Sequence, residues 1–121
     1  MPAEIAEIVI ESDDPAAAAA FWSAALEWPL RSYEPGAVPW VSPSGDPGGE
    51  DLKLVFVPAR PGRPASSRLY LRPGEALDDA VARLRHLGAG VPTGDGASSS
   101  DPWVALVDPG GTGFTVLAPP R

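Results

Sequence analysis

The 121-residue chain has no cysteine and a single histidine, His86. Without cysteine it can form neither a disulfide nor a zinc-thiolate site, and no thiolate can serve as a nucleophile. No apolar run approaches the length of a membrane span, and the N-terminus lacks the basic stretch and apolar core of an export signal. We therefore expect a cytoplasmic protein that does not associate with a membrane.

Positive charge is also scarce, with nine Lys and Arg against sixteen Asp and Glu and a formal net charge of −7. Nonspecific binding to nucleic acid needs a face rich in lysine and arginine, so we expect no nucleic-acid partner. The acidity serves solubility first, and it favours a cationic ligand over an anionic one. The chain also lacks a P-loop, a Gly-x-Gly-x-x-Gly turn and a Gly-x-Ser-x-Gly elbow, which excludes the commonest nucleotide and serine-hydrolase sites.

Proline and glycine are plentiful, at 16 and 13 residues, and they indicate short elements joined by many turns. Hydrophobic periodicity predicts a strand, a helix and three strands, followed by a proline-rich connector at 59–66 and the same order again. Asp14 before Pro15 is typical of a helix start, and Gly88 of a helix end. The predicted strands are 5–10, 28–33, 38–41, 52–57, 68–71, 90–92, 103–107 and 114–117, and the predicted helices are 15–27 and 76–87.

The two halves match at a constant offset. Leu69 follows Ile8 by 61 residues, and the same spacing separates Leu87 from Leu26. It also relates Leu71 to Ile10, Val116 to Val55 and Pro119 to Pro58, while the Pro-Trp-Val triplets at Pro39 and Pro102 match at 63. A unit of about 60 residues that occurs twice predicts one pseudo-twofold domain over 1–121, with modules at about 1–60 and 66–121.

This order of elements resembles the vicinal oxygen chelate superfamily, which includes glyoxalase I, bleomycin-resistance proteins and extradiol dioxygenases. Three segments carry the resemblance: Asp14-Pro15 followed by Phe21-Trp22 and Ala25-Leu26, then Phe56-Val57-Pro58 leading to Arg68-Leu69-Tyr70-Leu71, and Trp103 to Leu117 with Asp108-Pro109-Gly110-Gly111. It implies an α+β fold of two tandem βαβββ modules that form a cupped, mostly antiparallel sheet. It also implies a homodimer.

In metal-dependent members of that superfamily the ligands come from the first and last strands of each module and point into the cup. The family pattern places the first ligand on Glu7 and the last on Thr115, and the offset then gives Arg68 and Leu54. Tyr70 is an alternative to Arg68, because related short proteins often have histidine at its position. Such a set offers one carboxylate and no imidazole, so we expect no metal and no cofactor. His86 is predicted to face solvent.

Strand alternation predicts which side chains line the cup, because Ile8, Ile10, Leu69 and Leu71 suit the face beneath the helices. The cup-facing set is Glu7, Val9, Glu11, Arg68, Tyr70 and Arg72. Opposite charges occupy equivalent positions in Glu7 and Arg68, and again in Glu11 and Arg72. We hypothesise ion pairs in the cup, the alternative being that each charge is solvated separately at the rim.

Aromatic side chains are the other candidates for function, because flat rings bind planar or cationic ligands by stacking and cation–π contacts. Phe21, Trp22, Phe56 and Phe114 are assigned to the core. The candidates for the cup are Tyr33, Trp40, Tyr70 and Trp103, although the two tryptophans are more often buried structural residues.

The sequence therefore predicts a metal-free, dimeric protein that holds an aromatic or cationic small molecule in the cup, as drug-sequestering members of the superfamily do. One alternative is a glyoxalase-like enzyme of the lyase, isomerase or dioxygenase type that acts on a small organic substrate. Glu7 or Tyr70 could serve it as a general base without metal. A third possibility is a domain that acts only through its partners, with its cup filled by its own side chains.

Overall fold

The computed structural model describes residues 3–33, 38–60, 69–92 and 103–118. Each half of the chain contributes one helix and one sheet. The first half comprises β1 (Glu7–Ser12), α1 (Pro15–Leu26), β2 (Leu30–Tyr33), β3 (Val38–Val41) and β4 (Lys53–Pro58), and the second comprises β5 (Leu69–Leu71), α2 (Leu77–His86), β6 (Trp103–Val107) and β7 (Gly113–Leu117).

The strands are ordered alike in the two sheets. The first sheet has the order β1-β4-β3-β2 and the second the order β5-β7-β6. In each, the first strand runs parallel to the last, and every other described pairing is antiparallel. The predicted α+β fold is confirmed. The weak strand predicted at 90–92 is reduced to a single antiparallel bridge between Gly90 and Val107, at the edge that corresponds to β2.

The helices begin and end within one residue of their predicted bounds. Asp14 caps α1, since its side chain accepts a hydrogen bond from the Ala17 N–H at 3.1 Å and Pro15 occupies the first turn. Helix α2 has no side-chain cap at Ala76, and Gly88 just beyond its end has a φ of +122°. No helix within the described ranges is long and apolar enough to cross a membrane.

One hydrophobic core joins the two halves. The four aromatics predicted for the core are buried, and Trp22 of α1 meets Phe114 of β7 edge to face with 4.9 Å between ring centroids. Burying a side chain of this size contributes about 1.5–3 kcal/mol. Because Phe21 and Trp22 of α1 pack against Phe114 of the second sheet, the halves cannot separate without exposing this core.

A second connection between the halves is the turn Asp108–Thr112, which we call the junction turn. The buried Asp108 carboxylate accepts hydrogen bonds from Trp22 Nε1 at 2.8 Å and from the backbone N–H groups of Gly110 and Thr112 at 2.9 and 3.0 Å. The Gly110 carbonyl accepts one from the Asp13 N–H at 2.8 Å. The end of β1 and the start of α1 are thereby fixed to the start of β7.

Strand register corrects the sequence-based equivalence of the last strands. Ile8 lies opposite Leu54, whereas its counterpart Leu69 lies opposite Phe114, so the last strands are related by 60 residues instead of 61. The connection before β4, at 42–52, is longer than the one before β7, at 108–112, and a single offset cannot span both. By pairing, Val55 corresponds to Thr115, and their neighbours Trp40 and Ala105 correspond to each other.

The two Pro-Trp-Val triplets are therefore not equivalent, and that prediction was wrong. Trp103 pairs with Leu117. It lies two residues before Ala105, on the same face of β6. The second half thus has a methyl group where the first has an indole.

Candidate ligand-binding face

Each sheet has one face toward the helices and one away from them, and we call the latter the open face. Side chains alternate between the two along a strand. In β1, Ile10 is buried in the core whereas Val9 is 54% exposed on the open face. The same alternation assigns Glu7 and Glu11 to the open face.

The centre of the open face of the first half is occupied by the protein's own side chains. Trp40 is only 1% exposed. The Tyr33 ring stacks on it with 5.4 Å between centroids, and Lys53 Nζ lies 5.3 Å from the centroid of the indole. Tyr33 and Trp40, two of the predicted aromatic candidates, thus lie together, but the indole has no exposed surface on which a ligand could stack.

Lys53 was missed by the sequence reasoning, although it is the chain's only lysine. It is 7% exposed, its Nζ donates to the Gly49 carbonyl at 3.2 Å, and it lies opposite Glu7 in the β1–β4 register. The signal was available, because a charged residue two positions before Val55 must share the open face with it. Its ammonium takes the cation–π position on Trp40 that a ligand could have used.

The open face of the second half is built differently. Its central row runs from Tyr70 through Thr115 to Ala105, which are paired residues on β5, β7 and β6. Tyr70 is 63% exposed and Trp103 is 42% exposed. Two exposed aromatics therefore flank a floor made of a hydroxyl and a methyl group. Large exposed apolar surfaces of this kind are typical of binding sites.

The charged residues predicted for the cup are only partly brought together. Glu7 lies near Tyr33, and the pKa of Tyr33 is raised above its ordinary value of 10.0, first by burial and second by the Glu7 carboxylate. Arg68 lies outside the described residues, so its pairing with Glu7 stays a prediction.

The predicted pair of Glu11 and Arg72 is not formed, because the single ion pair among the described residues joins Arg83 to Glu75. Strand β5 ends at Leu71 and Pro73 follows, so Arg72 has left the sheet and its alternation.

Leu54 does not lie on the open face. It is buried in the core with Ile10 and Phe56, because it alternates with Lys53 and Val55 along β4. The open-face residue at this place is Val55, one position further along, as the strand register requires.

The described donors do not fit a divalent metal. Glu7 and Thr115 supply one carboxylate and one hydroxyl, and Leu54 points away from them. No three His, Cys, Asp or Glu side chains converge to hold a metal within the described parts of the chain. His86 is exposed at the end of α2. We therefore derive no chemistry through a metal ion.

Comparisons with known proteins agree with this architecture. A family model described as a glyoxalase-like domain matches residues 7–117. No protein of curated function matches the sequence. Among solved structures, the chain is similar to TnmS3, an antibiotic-binding protein from Streptomyces sp. CB03234, at 25% identity, 98% coverage of both chains and a TM-score of 0.62.

Two other solved structures illustrate the range of similar proteins. A glyoxalase/bleomycin resistance protein from the same Streptomyces strain has 26% identity, with 94% of this chain and 99% of that chain covered and a TM-score of 0.57. The glyoxalase I of Leishmania major has 15% identity, 97% and 87% coverage and a TM-score of 0.67, and it shows the fold alone.

Proposed function

Because the chain belongs to the glyoxalase-like domain family, we propose that it is a metal-free protein that binds a small aromatic molecule on the open face of its second half. The observation that carries the proposal is the exposure of Tyr70 and Trp103, 63% and 42%, around the small side chains Ala105 and Thr115. The similarity to an antibiotic-binding protein supports sequestration of a drug-like compound over its conversion.

The geometry of the central row suits a flat ligand. Tyr70 and Trp103 lie two strands apart and two residues apart along the strand direction, which places their Cα atoms roughly 12 Å from each other. A planar ring system between two aromatic side chains needs ring planes about 7 Å apart, twice an optimal carbon contact. Thr115 contributes a hydroxyl that can donate to a carbonyl or accept from an N–H. The ligand we propose is planar, with one polar group near its centre.

Charge on the open face of the first half refines the proposal. Glu7 is exposed there and Glu11 is half-buried, while Lys53 is covered and already engaged with Trp40. Together with the net charge of −7, these carboxylates favour a ligand with a positively charged substituent over one with an acidic group.

We also propose that the protein is a homodimer. Ile5 and Val9 of the first half are 72% and 54% exposed, and exposed apolar side chains this close in sequence are typical of an interface. Light scattering coupled to gel filtration measures the mass directly. A mass of one chain, 12.5 kDa, would contradict this part of the proposal.

Binding is tested by a thermal-shift screen of planar antibiotics, followed by calorimetry on the compound that stabilises the protein most. Tyr70→Ala and Trp103→Ala should each weaken binding roughly fivefold to tenfold, since a ring contact contributes about 1 kcal/mol. Tyr33→Phe is the matched control: it keeps the aromatic ring over Trp40 and should leave the affinity unchanged.

The same screen includes nickel, zinc, manganese and iron. Stoichiometric binding of one of these metals, with stabilisation of the fold, would contradict a metal-free protein and favour the glyoxalase-like enzyme. Turnover of a bound compound that is lost in Glu7→Gln or Tyr70→Phe would favour the metal-free enzyme with a general base on the open face.

A further inference from the structure

The junction turn has a counterpart in sequence that is not matched in structure. The junction turn belongs to the second half and packs against Ser12, Asp13 and Trp22 of the first half. The residues 61 positions further on are Pro73, Gly74 and Arg83. The sequence Asp-Pro-Gly-Gly of the junction turn recurs at Asp46–Gly49, in the connection before β4. Pseudo-symmetry would therefore bring the Asp46–Gly49 turn against the end of β5 and the start of α2.

In place of that contact the structure has a groove with a volume of ≈ 640 Å³ on the helix side of the second sheet. We call it the inter-helix groove. One wall is the end of α1 at 24–27, and the other consists of 71–75 with Arg83 and Leu87. No residue of the connection 42–52 lines it, and Asp46 is exposed. The position that the junction turn fills in one half is thus open in the other.

The side chains in the groove indicate what it would bind. Arg83 stands at the position of Trp22, whose indole N–H donates to the Asp108 carboxylate in the other half. Its Nε donates to Glu75 Oε1 at 2.8 Å, and its Nη1 lies 3.5 Å from the Ala25 carbonyl. Glu75, which belongs to the same half as Arg83, thus supplies the kind of carboxylate that the junction turn supplies to Trp22 from the other half.

A second guanidinium in the groove has no such partner. Arg72 is exposed, and none of the described carboxylates lies within ion-pair distance of it. The half-buried side chains of Leu26, Leu71 and Leu87 give the groove apolar walls. Glu75 occupies Arg83 and the exposed Glu27 also lines the groove, so the guanidinium of Arg72 is the group that matches a carboxylate attached to an apolar body.

We infer that the inter-helix groove is a second small-molecule site, which binds an organic carboxylate with an apolar body. The volume lies within the range of known ligand pockets. The ligand carboxylate pairs with Arg72 and competes with Glu75 for Arg83, while its body lies against the three leucines. The site is on the opposite side of the sheet from the open face, so it does not depend on the function proposed above.

The test uses naphthoate and its neutral analogue naphthamide, with calorimetry for affinity and heteronuclear NMR for location. Naphthoate should bind at least tenfold more tightly than naphthamide, and the shift changes should centre on 71–75 and 83–87. Arg72→Gln should weaken naphthoate about tenfold. Glu75→Gln removes the competing carboxylate and should strengthen it several-fold.

Arg85→Gln is the matched control, because Arg85 is exposed on α2 and does not line the groove. It should leave naphthoate affinity at the inter-helix groove unchanged. Equal affinity for the acid and the amide would overturn the inference, and so would an equal loss in Arg72→Gln and Arg85→Gln. Shift changes confined to the open face would overturn it too. If Glu75→Gln fails to fold, the comparison of Arg72→Gln with Arg85→Gln decides alone.

Discussion

Gly110 has no room for a side chain. A Cβ built on it would overlap the hydroxyl of Ser12 and come within 3.0 Å of the Ala18 methyl group. We expect Gly110→Ala to lower the free energy of unfolding by about 1–3 kcal/mol, the usual cost of overpacking. Gly74→Ala is the control, since a Cβ there meets nothing within 4 Å. Chemical denaturation measures both, and equal losses in the two variants would contradict the close contact at the junction.

Tyr33 should titrate later than an ordinary tyrosine. Its pKa is raised by burial and, to a smaller extent, by Glu7. We expect Glu7→Gln to lower the pKa of Tyr33 while leaving it above 10.0, because the larger cause remains. The absorbance of tyrosinate during an alkaline titration reports this, and Tyr33→Phe identifies which of the two tyrosines gives each step.

The same shift has a consequence for stability. A raised pKa in the folded state means that the folded protein keeps the proton when the unfolded chain has lost it. Stability from this source is complete below the ordinary pKa of 10.0 and falls as the pH rises from there through the folded value. If the unfolding free energy of Glu7→Gln declined over that range as steeply as that of the wild type, the contribution of Glu7 would be refuted.

At the scale of single residues, sequence predicted the open face where alternation alone decides. Alternation assigned Glu7 and Tyr70 to it, because β1 and β5 keep their period of two, whereas Thr115 came from the family pattern and Tyr33 and Trp103 were named only as aromatic candidates. The prediction that Leu54 lies on the open face was wrong, because it applied one offset across a connection whose length differs between the halves. The prediction that Arg72 lies on the open face and pairs with Glu11 was wrong, because β5 ends before Arg72. One residue of error reverses a face, so such predictions are only as good as the alignment of the repeat.

Helix α2 lacks the cap that α1 has. Ala76 at its N-cap offers no side-chain oxygen to the free N–H groups of the first turn, whereas Asp14 does so in α1. We expect Ala76→Ser to raise the free energy of unfolding by about 0.5–1 kcal/mol. Ala82→Ser, at an exposed position within the same helix, should lower it slightly, because serine is a weaker helix former than alanine. No gain from Ala76→Ser would show that α2 begins elsewhere.

At the scale of elements, sequence predicted both helices and seven strands to within about two residues, because apolar periodicity and proline mark them strongly. The inter-helix groove was out of reach. It exists because the Asp46–Gly49 turn does not make the contact that its counterpart makes, and the sequence of that turn is the same in both halves. Where a turn packs depends on its tertiary contacts, and the local sequence of the turn does not predict them.

For the molecule as a whole, the inequality of the two open faces sets the number of ligands. Trp40 fills the centre of one face, and its counterpart Ala105 leaves only a methyl group at the centre of the other. On the open faces we expect one aromatic ligand per chain, in a dimer as well as in a monomer. Calorimetric titration with the stabilising compound measures the ratio. Two ligands per chain, with both sites lost in Tyr70→Ala, would contradict the assignment of the site to the second half.

Because Trp40 in the first half corresponds to Ala105 in the second, the two halves differ in the substitutions that they tolerate. Trp40 is a structural residue of the first half, so a substitution there first lowers the stability of the fold. The corresponding place in the second half holds the smallest chiral side chain, and enlarging it step by step, from Ala105 to valine and then leucine, alters the room for a ligand with the same scaffold beneath it. Under the proposed function, a change in this one codon would therefore alter which compounds the second open face binds, while the first half preserves the scaffold.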